Sequence, residues 1–190
     1  MYVKIIEFHI DHKVTLHWSP VTCFETTFEA AWPFDDFAPA GDEYKLRPLL
    51  YYQPATGCDP ERLIIQYSRR NLTGYWDCKR SANIPQLSEA QAEALDAVHF
   101  TAEKHAISLD FHKGDIQFAN NLSILHARGA FTDSDKKQRH LLRLWLRDPE
   151  HEWTKPKDLQ GRFDRVYAGV TVGSSVFPLE ATIRSSNVAT

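Results

Sequence analysis

One histidine and two arginines in the last third of the chain have the types and spacing needed to hold a metal ion and an anion. Arg139 and Arg143 are four residues apart, and side-chain alternation puts both on one face of a strand predicted at residues 139–147. Guanidinium groups bind carboxylates through paired hydrogen bonds and stay charged at any working pH. His126 precedes Arg139 by thirteen positions, and a neutral imidazole binds divalent metals. The segment therefore predicts a metal site beside a site for an anion, such as a metal-chelating dicarboxylate.

Each of these residues also has an ordinary structural interpretation, and the residue types alone leave both open. A single histidine is most often a hydrogen-bonded surface or core residue. Arg139 and Arg143 could instead lie on a solvated strand face or pair with nearby carboxylates, which are Asp133, Asp135 and Asp148. The combination of a histidine with two arginines on one predicted face is what favours a functional site.

The other face of the same predicted strand is apolar. Leu142, Leu144 and Leu146 alternate with the arginines, so we expect these leucines to pack in a hydrophobic core. Arg147 falls on the same face as Arg143 and is expected to share its polar surroundings. One strand would thus separate a core from a polar cavity.

Short strands and one long helix are predicted to position this segment. The helix covers residues 88–104, because Ser88 and Gln91 match a capping box and apolar residues recur at helical spacing. Residues 32–41, rich in prolines and acids, predict an irregular loop with aromatic anchors. Besides residues 139–147, strands are predicted at residues 49–52, 63–67, 107–111, 116–118 and 123–126.

Many short strands and one inserted helix indicate a mainly β fold. The pattern is typical of a double-stranded β-helix (jelly roll), whether complete or incomplete, an architecture shared by many mononuclear iron enzymes. The chain has 190 residues, 43% of them hydrophobic, and can bury one sizeable core. Residues 1–190 are therefore predicted to form a single domain.

Composition excludes several classes of partner. The 22 basic and 25 acidic residues give a net charge of −3, which offers no general attraction to nucleic acids or anionic membranes. No stretch approaches the roughly 18 apolar residues of a membrane span, and the N-terminus has no long apolar region of a signal peptide. Cys23, Cys58 and Cys78 form no paired motif, so neither a disulfide framework nor a thiolate zinc site is predicted. A cytoplasmic protein is expected.

Two segments carry a resemblance to a known family. Asn-Asn-Leu-Ser-Ile-Leu-His-Ala-Arg at residues 120–128, followed by Arg-His-Leu-Leu-Arg-Leu-Trp-Leu-Arg-Asp at residues 139–148, resembles the distal-histidine and cofactor-arginine region of the TauD/TfdA (taurine dioxygenase-like) family, particularly its fungal-type members. The similarity extends over about residues 32–178 and leaves residues 1–31 atypical.

The resemblance implies a role for each residue of the segment. His126 would be the distal iron ligand, Arg139 would pair with the remote carboxylate of 2-oxoglutarate, and Arg143 would be an anion-binding neighbour that serves substrate or cosubstrate. The implied activity is that of an iron(II)- and 2-oxoglutarate-dependent dioxygenase, which hydroxylates or oxidatively cleaves a small organic substrate; an anionic substrate would suit Arg143. The oligomeric state is left open.

The resemblance also implies a His-x-Asp motif that completes the iron site, and the match is His9-Ile10-Asp11. Strand-like surroundings and period-two alternation would direct His9 and Asp11 to one face. The motif lies 23 positions before Trp32, whereas the family has a longer stretch there, with a threonine that helps hold 2-oxoglutarate.

This short interval leaves three interpretations open. The chain is a working enzyme with a shortened N-terminal segment, or a catalytically incomplete family fragment in which residues 1–31 are unrelated sequence. A third interpretation, outside enzymes, is a metal-free anion-binding β-domain that uses Arg139 and Arg143. Convergence of His9, Asp11 and His126 on one metal ion would separate the first interpretation from the other two.

Overall fold

The computed structural model describes residues 2–7, 21–29, 31–36, 44–57, 59–75, 79–129, 132–136 and 141–171. The chain divides into two compact units at residue 130. The single domain expected over residues 1–190 stays a prediction. None of the helices in the described ranges is long and apolar enough to cross a membrane.

Helices and strands alternate along the described chain. In order they are β1 (Tyr2–Glu7), α1 (Val21–Phe28), β2 (Trp32–Asp35), β3 (Tyr44–Arg47), β4 (Leu50–Gln53), β5 (Arg62–Ile65), α2 (Arg69–Thr73), α3 (Glu89–Lys104), β6 (Ile107–Asp110), β7 (Ile124–Arg128) and α4 (Lys157–Val166). Of these elements, α4 belongs to the second unit and the others to the first.

The strands form small antiparallel sheets. β1 is the middle strand of a three-stranded sheet, between β6 and β7, while β2 pairs with β3 and β4 pairs with β5. The strands predicted at residues 49–52, 63–67, 107–111 and 123–126 are confirmed to within a residue or two. Mixed strands and helices with small antiparallel sheets are therefore the architecture of the described residues, and the jelly roll stays a prediction.

The core of the first unit is formed by strands and helices together. Trp32 is fully buried, and its indole N–H donates to the carbonyl of Thr26 at 2.9 Å, so this large side chain also satisfies its polar atom. The buried cluster comprises Trp32, Phe34, Leu49, Leu50, Ile65, Leu72, Ala94, Leu95 and Val98. These residues come from two of the sheets and from α2 and α3, which the core thereby joins.

Helix α3 begins as its sequence predicts. The Ser88 hydroxyl accepts a hydrogen bond from the backbone N–H of Gln91, and the Gln91 side chain accepts one from the N–H of Ser88. This capping box satisfies two N–H groups that would otherwise lack an acceptor. The Nε2 of Gln91 also donates to the carbonyl of Ala31 at 3.1 Å. Gln91 therefore fixes the first turn of α3 to the chain just before β2.

The prediction of an irregular loop at residues 32–41 is wrong for the first four residues. These residues form β2, with Trp32 opposite Arg47 on β3. Burial of Trp32 and Phe34 outweighs the local preference of Pro33 for irregular structure, since one edge of a two-stranded sheet makes no ladder bonds and tolerates proline. The predicted aromatic anchors do exist, within a strand.

Helices α1 and α4 are absent from the sequence predictions. α1 lies within residues 1–31, where β-branched and aromatic residues hide its helical pattern. α4 follows Pro156, with Asp158 in its first turn and Arg165 in its last turn, which are recognised start and stop signals. A search for apolar periodicity alone passes over them, because α4 is a largely polar helix.

Two predicted strands do not form in the described residues. Neither residues 116–118 nor residues 141–147, the described part of the strand predicted at 139–147, belong to a strand. Ile116 and Phe118 are each 80% exposed. A strand exists only through hydrogen bonds to a neighbour, so apolar alternation does not create one where no partner lies alongside.

Candidate functional site

His126 is positioned by β7, which starts from a turn at Asn120. The Asn120 side chain accepts a hydrogen bond from the N–H of Leu122, and its carbonyl accepts one from the N–H of Ser123, both at 3.1 Å. The buried Leu122 offers its carbonyl to the N–H of Ile65 at 2.8 Å. The start of β7 is thus fixed to the core strand β5, and this anchor sets the position of His126 along the sheet.

Strand β1 lies beside β7 and determines which residue faces His126. The two strands are antiparallel, with Ile5 opposite His126 and Glu7 opposite Ile124. β1 ends at Glu7, two residues before His9. The strand that carries the predicted distal histidine is therefore hydrogen-bonded to the strand that leads into the His-x-Asp motif.

The structure describes two of the five predicted site residues. His126 is exposed in the first unit, and Arg143 is exposed in the second. His9, Asp11 and Arg139 lie outside the described residues. Within the described ranges, no three His, Cys, Asp or Glu side chains are grouped so as to hold a metal ion. The roles given to these five residues stay predictions.

The segment around Arg143 is apolar and exposed. Residues 141–148 form neither helix nor strand, and Leu142, Leu144 and Leu146 expose 60%, 60% and 68% of their surface. The core packing predicted for these leucines is therefore wrong in the described chain. The physical reason is that no described element packs against these leucines, so their alternation with polar residues does not place them in a core.

Arg147, near the end of this segment, is held by a carboxylate. Its guanidinium donates to both oxygens of Glu152, at 3.0 and 2.8 Å, which is the fork geometry that arginine prefers. The same carboxylate lies 2.8 Å from the ammonium of Lys155. The hydrogen bonds from Arg147, with a further contribution from Lys155, hold the pKa of Glu152 below its ordinary value despite the opposing effect of burial.

The ammonium of Lys155 is almost inaccessible to water. Its side chain is 1% exposed, and besides Glu152 it contacts the carbonyl of Trp153 at 3.3 Å and the ring of Phe163 at 4.7 Å. Sequence reasoning missed this network and placed Arg147 on an anion-binding face. The sequence does contain an indication of this network: Glu152 and Lys155 carry opposite charges and are three residues apart, beside aromatic residues.

Asp148 pairs with its own turn and not with Arg143. Its carboxylate accepts the N–H of Glu150 at 3.0 Å and lies 3.0 Å from Nδ1 of His151. The Glu150 N–H, followed by the His151 side chain, lowers the pKa of Asp148. Within the described residues Arg143 has no ion-pair partner, whereas Arg147 is paired with Glu152.

A second polar cluster, also missed from the sequence, lies beside β2. Asp35 is buried, its carboxylate accepts the N–H of Ser81 at 3.2 Å, and its carbonyl accepts from the Asn71 side chain at 2.7 Å. Arg80 donates to the carbonyl of Pro33 at 2.7 Å. These bonds join the chain around Arg80 to β2, so the cluster has a structural role.

Comparison with known families identifies the class of protein. Residues 19–145 match the family described as "Taurine catabolism dioxygenase TauD, TfdA family". The chain therefore belongs to the TauD/TfdA family. The match contains His126, Arg139 and Arg143, and it starts before the boundary predicted at residue 32. His9 and Asp11 precede the matched residues.

Two curated relatives cover much of the chain. The taurine hydroxylase-like protein SAT17 of Stachybotrys chartarum is 38% identical over 143 residues, which are 74% of this chain and 35% of the relative. FR-33289 synthase of Streptomyces rubellomurinus is 27% identical over 110 residues, 56% of this chain and 32% of the relative. The chain thus spans about a third of the length of these relatives. No solved structure matches the chain.

Proposed function

We propose that the chain is an iron(II)- and 2-oxoglutarate-dependent dioxygenase that acts on a small anionic organic substrate. The observation that carries the proposal is the family match, which includes His126 and Arg139. The pairing of β1 with β7 supports it, because β1 lies beside the strand of His126 and ends two residues before His9. A jelly roll built around this sheet is part of the same proposal.

His126 with His9 and Asp11 would hold the iron. An exposed imidazole on a strand that is anchored at its start is accessible and fixed in position, as a metal ligand must be. A strand that continued straight beyond Glu7 would carry His9 about 13 Å past the position opposite His126, so the proposal requires the chain to turn back toward β7 after Glu7. Two imidazoles and one carboxylate are the donor set of a facial iron(II) triad, so the residue chemistry fits the metal.

Arg139 and Arg143 would hold the anions of the reaction. We assign Arg139 to the remote carboxylate of 2-oxoglutarate and Arg143 to substrate or cosubstrate. Support comes from Arg143, which is exposed and has no ion-pair partner among the described residues, whereas Arg147 is occupied by Glu152. Bound iron(II) and 2-oxoglutarate supply the oxidising chemistry, while the arginines orient the anions against it.

A catalytically incomplete fragment is the second candidate. One observation favours it: His9 and Asp11 precede the family match, which starts at residue 19. Such a fragment would keep Arg139 and His126 but bind metal weakly, because a lone imidazole does not hold iron(II) against competing chelators.

Anaerobic titration with iron(II) and 2-oxoglutarate distinguishes the two. A complete site gives the visible charge-transfer absorption of a chelated keto acid, which both His126→Ala and Asp11→Ala abolish. His112→Ala, at an exposed histidine of the same unit, is the matched control and leaves the absorption unchanged. An unchanged spectrum in Asp11→Ala, or no absorption in the wild type, would contradict the complete site and favour the fragment.

Calorimetry tests the arginine assignment separately. Arg139→Ala is expected to weaken 2-oxoglutarate binding by about 2–5 kcal/mol, since a desolvated carboxylate would lose its charged partner. Unchanged affinity would remove the assignment of Arg139 without affecting that of the metal ligands.

A further inference from the structure

The segment that carries Arg143 has no secondary structure of its own to hold it in place. Residues 141–148 belong to neither helix nor strand, and Leu142 and Leu144, the neighbours of Arg143, are exposed. An arginine that binds an anion must be held close to its productive position, and on an irregular segment this requires support from neighbouring groups. In the described chain, the first side chain after Arg143 that is held by hydrogen bonds is Arg147.

Arg147 is fixed in orientation as well as in distance. Its guanidinium donates to both carboxylate oxygens of Glu152, at 3.0 and 2.8 Å, and its guanidinium carbon lies 5.6 Å from the centre of the Tyr167 ring. A paired fork restricts rotation of the side chain, which a single contact would permit. The pair of Arg147 and Glu152 is called the clamp below.

The clamp is itself held by the rest of the second unit. The ammonium of Lys155 lies 2.8 Å from the Glu152 carboxylate and 4.7 Å from the centre of the Phe163 ring on α4. The N–H of Glu152 donates to the carbonyl of Asp148 at 2.8 Å. Because Arg147 is connected to α4 in this way, the free part of the segment is shortened, and Arg143 samples fewer conformations than on a released segment.

We propose that Glu152 is a positioning residue for Arg143. By holding Arg147, Glu152 keeps residues 141–147 in the conformation in which Arg143 binds its anion. The inference rests on the proposed function, in which Arg143 binds an anion of the substrate or cosubstrate. It adds a residue that touches neither of them and acts through the backbone between Arg147 and Arg143.

Calorimetric titration of the full chain with iron(II), under anaerobic conditions, tests the proposal. The probes are 2-oxoglutarate and, in a separate titration, sulfate, and Arg143→Ala shows which probe depends on Arg143. For that probe, Glu152→Gln is expected to raise the Kd about tenfold, because a released segment would be binding-competent for only about a tenth of the time. Glu150→Gln, at an exposed carboxylate of the same turn, is the matched control and leaves the Kd unchanged.

The second half of the clamp provides a test of coupling. Arg147→Ala is expected to raise the Kd by a similar factor, since it releases the same segment. The double variant of Arg147→Ala and Glu152→Gln is expected to bind no more weakly than either single variant, because the clamp is lost only once. Additive losses in the double variant would overturn the positioning role.

A destabilising variant elsewhere in the unit separates positioning from stability. Leu159 on α4 is 2% exposed, so Leu159→Ala leaves a cavity and destabilises the same unit while the clamp stays in place. We expect the Kd of this variant to equal that of the wild type as long as the chain is folded. An increase as large as that of Glu152→Gln would show a merely structural role and would overturn the proposal.

Failure of this inference and failure of the proposed function give different results. If neither probe binds the wild type, or if Arg143→Ala leaves both affinities unchanged, the proposed anion site is wrong and the positioning role is wrong with it. If Arg143→Ala weakens binding but Glu152→Gln leaves it unchanged, only the positioning role is overturned. Tighter binding in Glu152→Gln would also overturn it, because the released Arg147 would then bind the anion itself.

Discussion

Glu152→Gln is expected to destabilise the second unit, because it removes the charge that faces a buried ammonium. The Lys155 side chain is 1% exposed and its Nζ lies 2.8 Å from the Glu152 carboxylate. Breaking a fully buried pair costs about 3–5 kcal/mol. Here the Glu152 side chain is 21% exposed, and Lys155 keeps its contact with the carbonyl of Trp153 at 3.3 Å. We therefore expect Glu152→Gln to lower the free energy of unfolding of the second unit by about 2 kcal/mol. Glutamine keeps the shape of glutamate, which leaves the packing unchanged.

The destabilisation caused by Glu152→Gln depends on pH, because the carboxylate of Glu152 acts only while it is ionised. Hydrogen bonds from Arg147 hold the pKa of Glu152 below the ordinary value of 4.5. A carboxyl whose pKa is lower in the folded chain stabilises the fold above the unfolded-state pKa, and this stability is lost as the pH falls through the folded-state value. The difference between the wild type and Glu152→Gln is therefore full at about pH 7 and diminishes progressively below about pH 4.5.

Hydrogen exchange of α4 measures the effect within the second unit. A loss of about 2 kcal/mol corresponds to amide exchange that is roughly 30-fold faster. Glu150→Gln, at an exposed carboxylate of the same turn, is the matched control. Adding Lys155→Met to Glu152→Gln is expected to restore part of the protection, because no buried charge is left without a partner. Equal exchange in the two glutamine variants, or no recovery in the double variant, would refute the argument.

Two further predictions concern the first unit. Ser88→Ala is expected to cost about 1 kcal/mol in urea denaturation, because the N–H of Gln91 loses its acceptor; an unchanged midpoint would contradict the role of the cap. Trp32→Phe is expected to cost about 2–3 kcal/mol, since it removes buried volume and the hydrogen bond to Thr26. The exposed Trp145→Phe is its control, and equal losses in both tryptophan variants would count against the burial argument.

Features that depend on neighbours in the sequence could be predicted. The capping box of Ser88 and Gln91 and the helix after it follow from spacing within a few residues. Gly114, in the turn that follows β6, has a φ of 98°, a conformation that glycine adopts without strain. The strands that were confirmed carry enough apolar residues within four or five positions to indicate their type.

Features that depend on distant partners could not be predicted. The start of β2 needed the contact of Trp32 with Thr26 and the ladder to β3. The strand expected at residues 139–147 lacked a neighbour in its described part, which alternation does not reveal. In the candidate site, residue types and resemblance pointed to His126, but the pairing that sets Ile5 opposite it is a long-range contact.

The pairing of β1 with β7 also limits how β1 can change in length. Successive residues of a strand face opposite sides of the sheet, so deleting one residue within β1 would reverse the facing of the strand residues on one side of the deletion. Deleting two residues would keep the facing and move those residues by about 7 Å along the strand. Insertions and deletions that preserve the facing of every residue of β1 therefore come in even numbers.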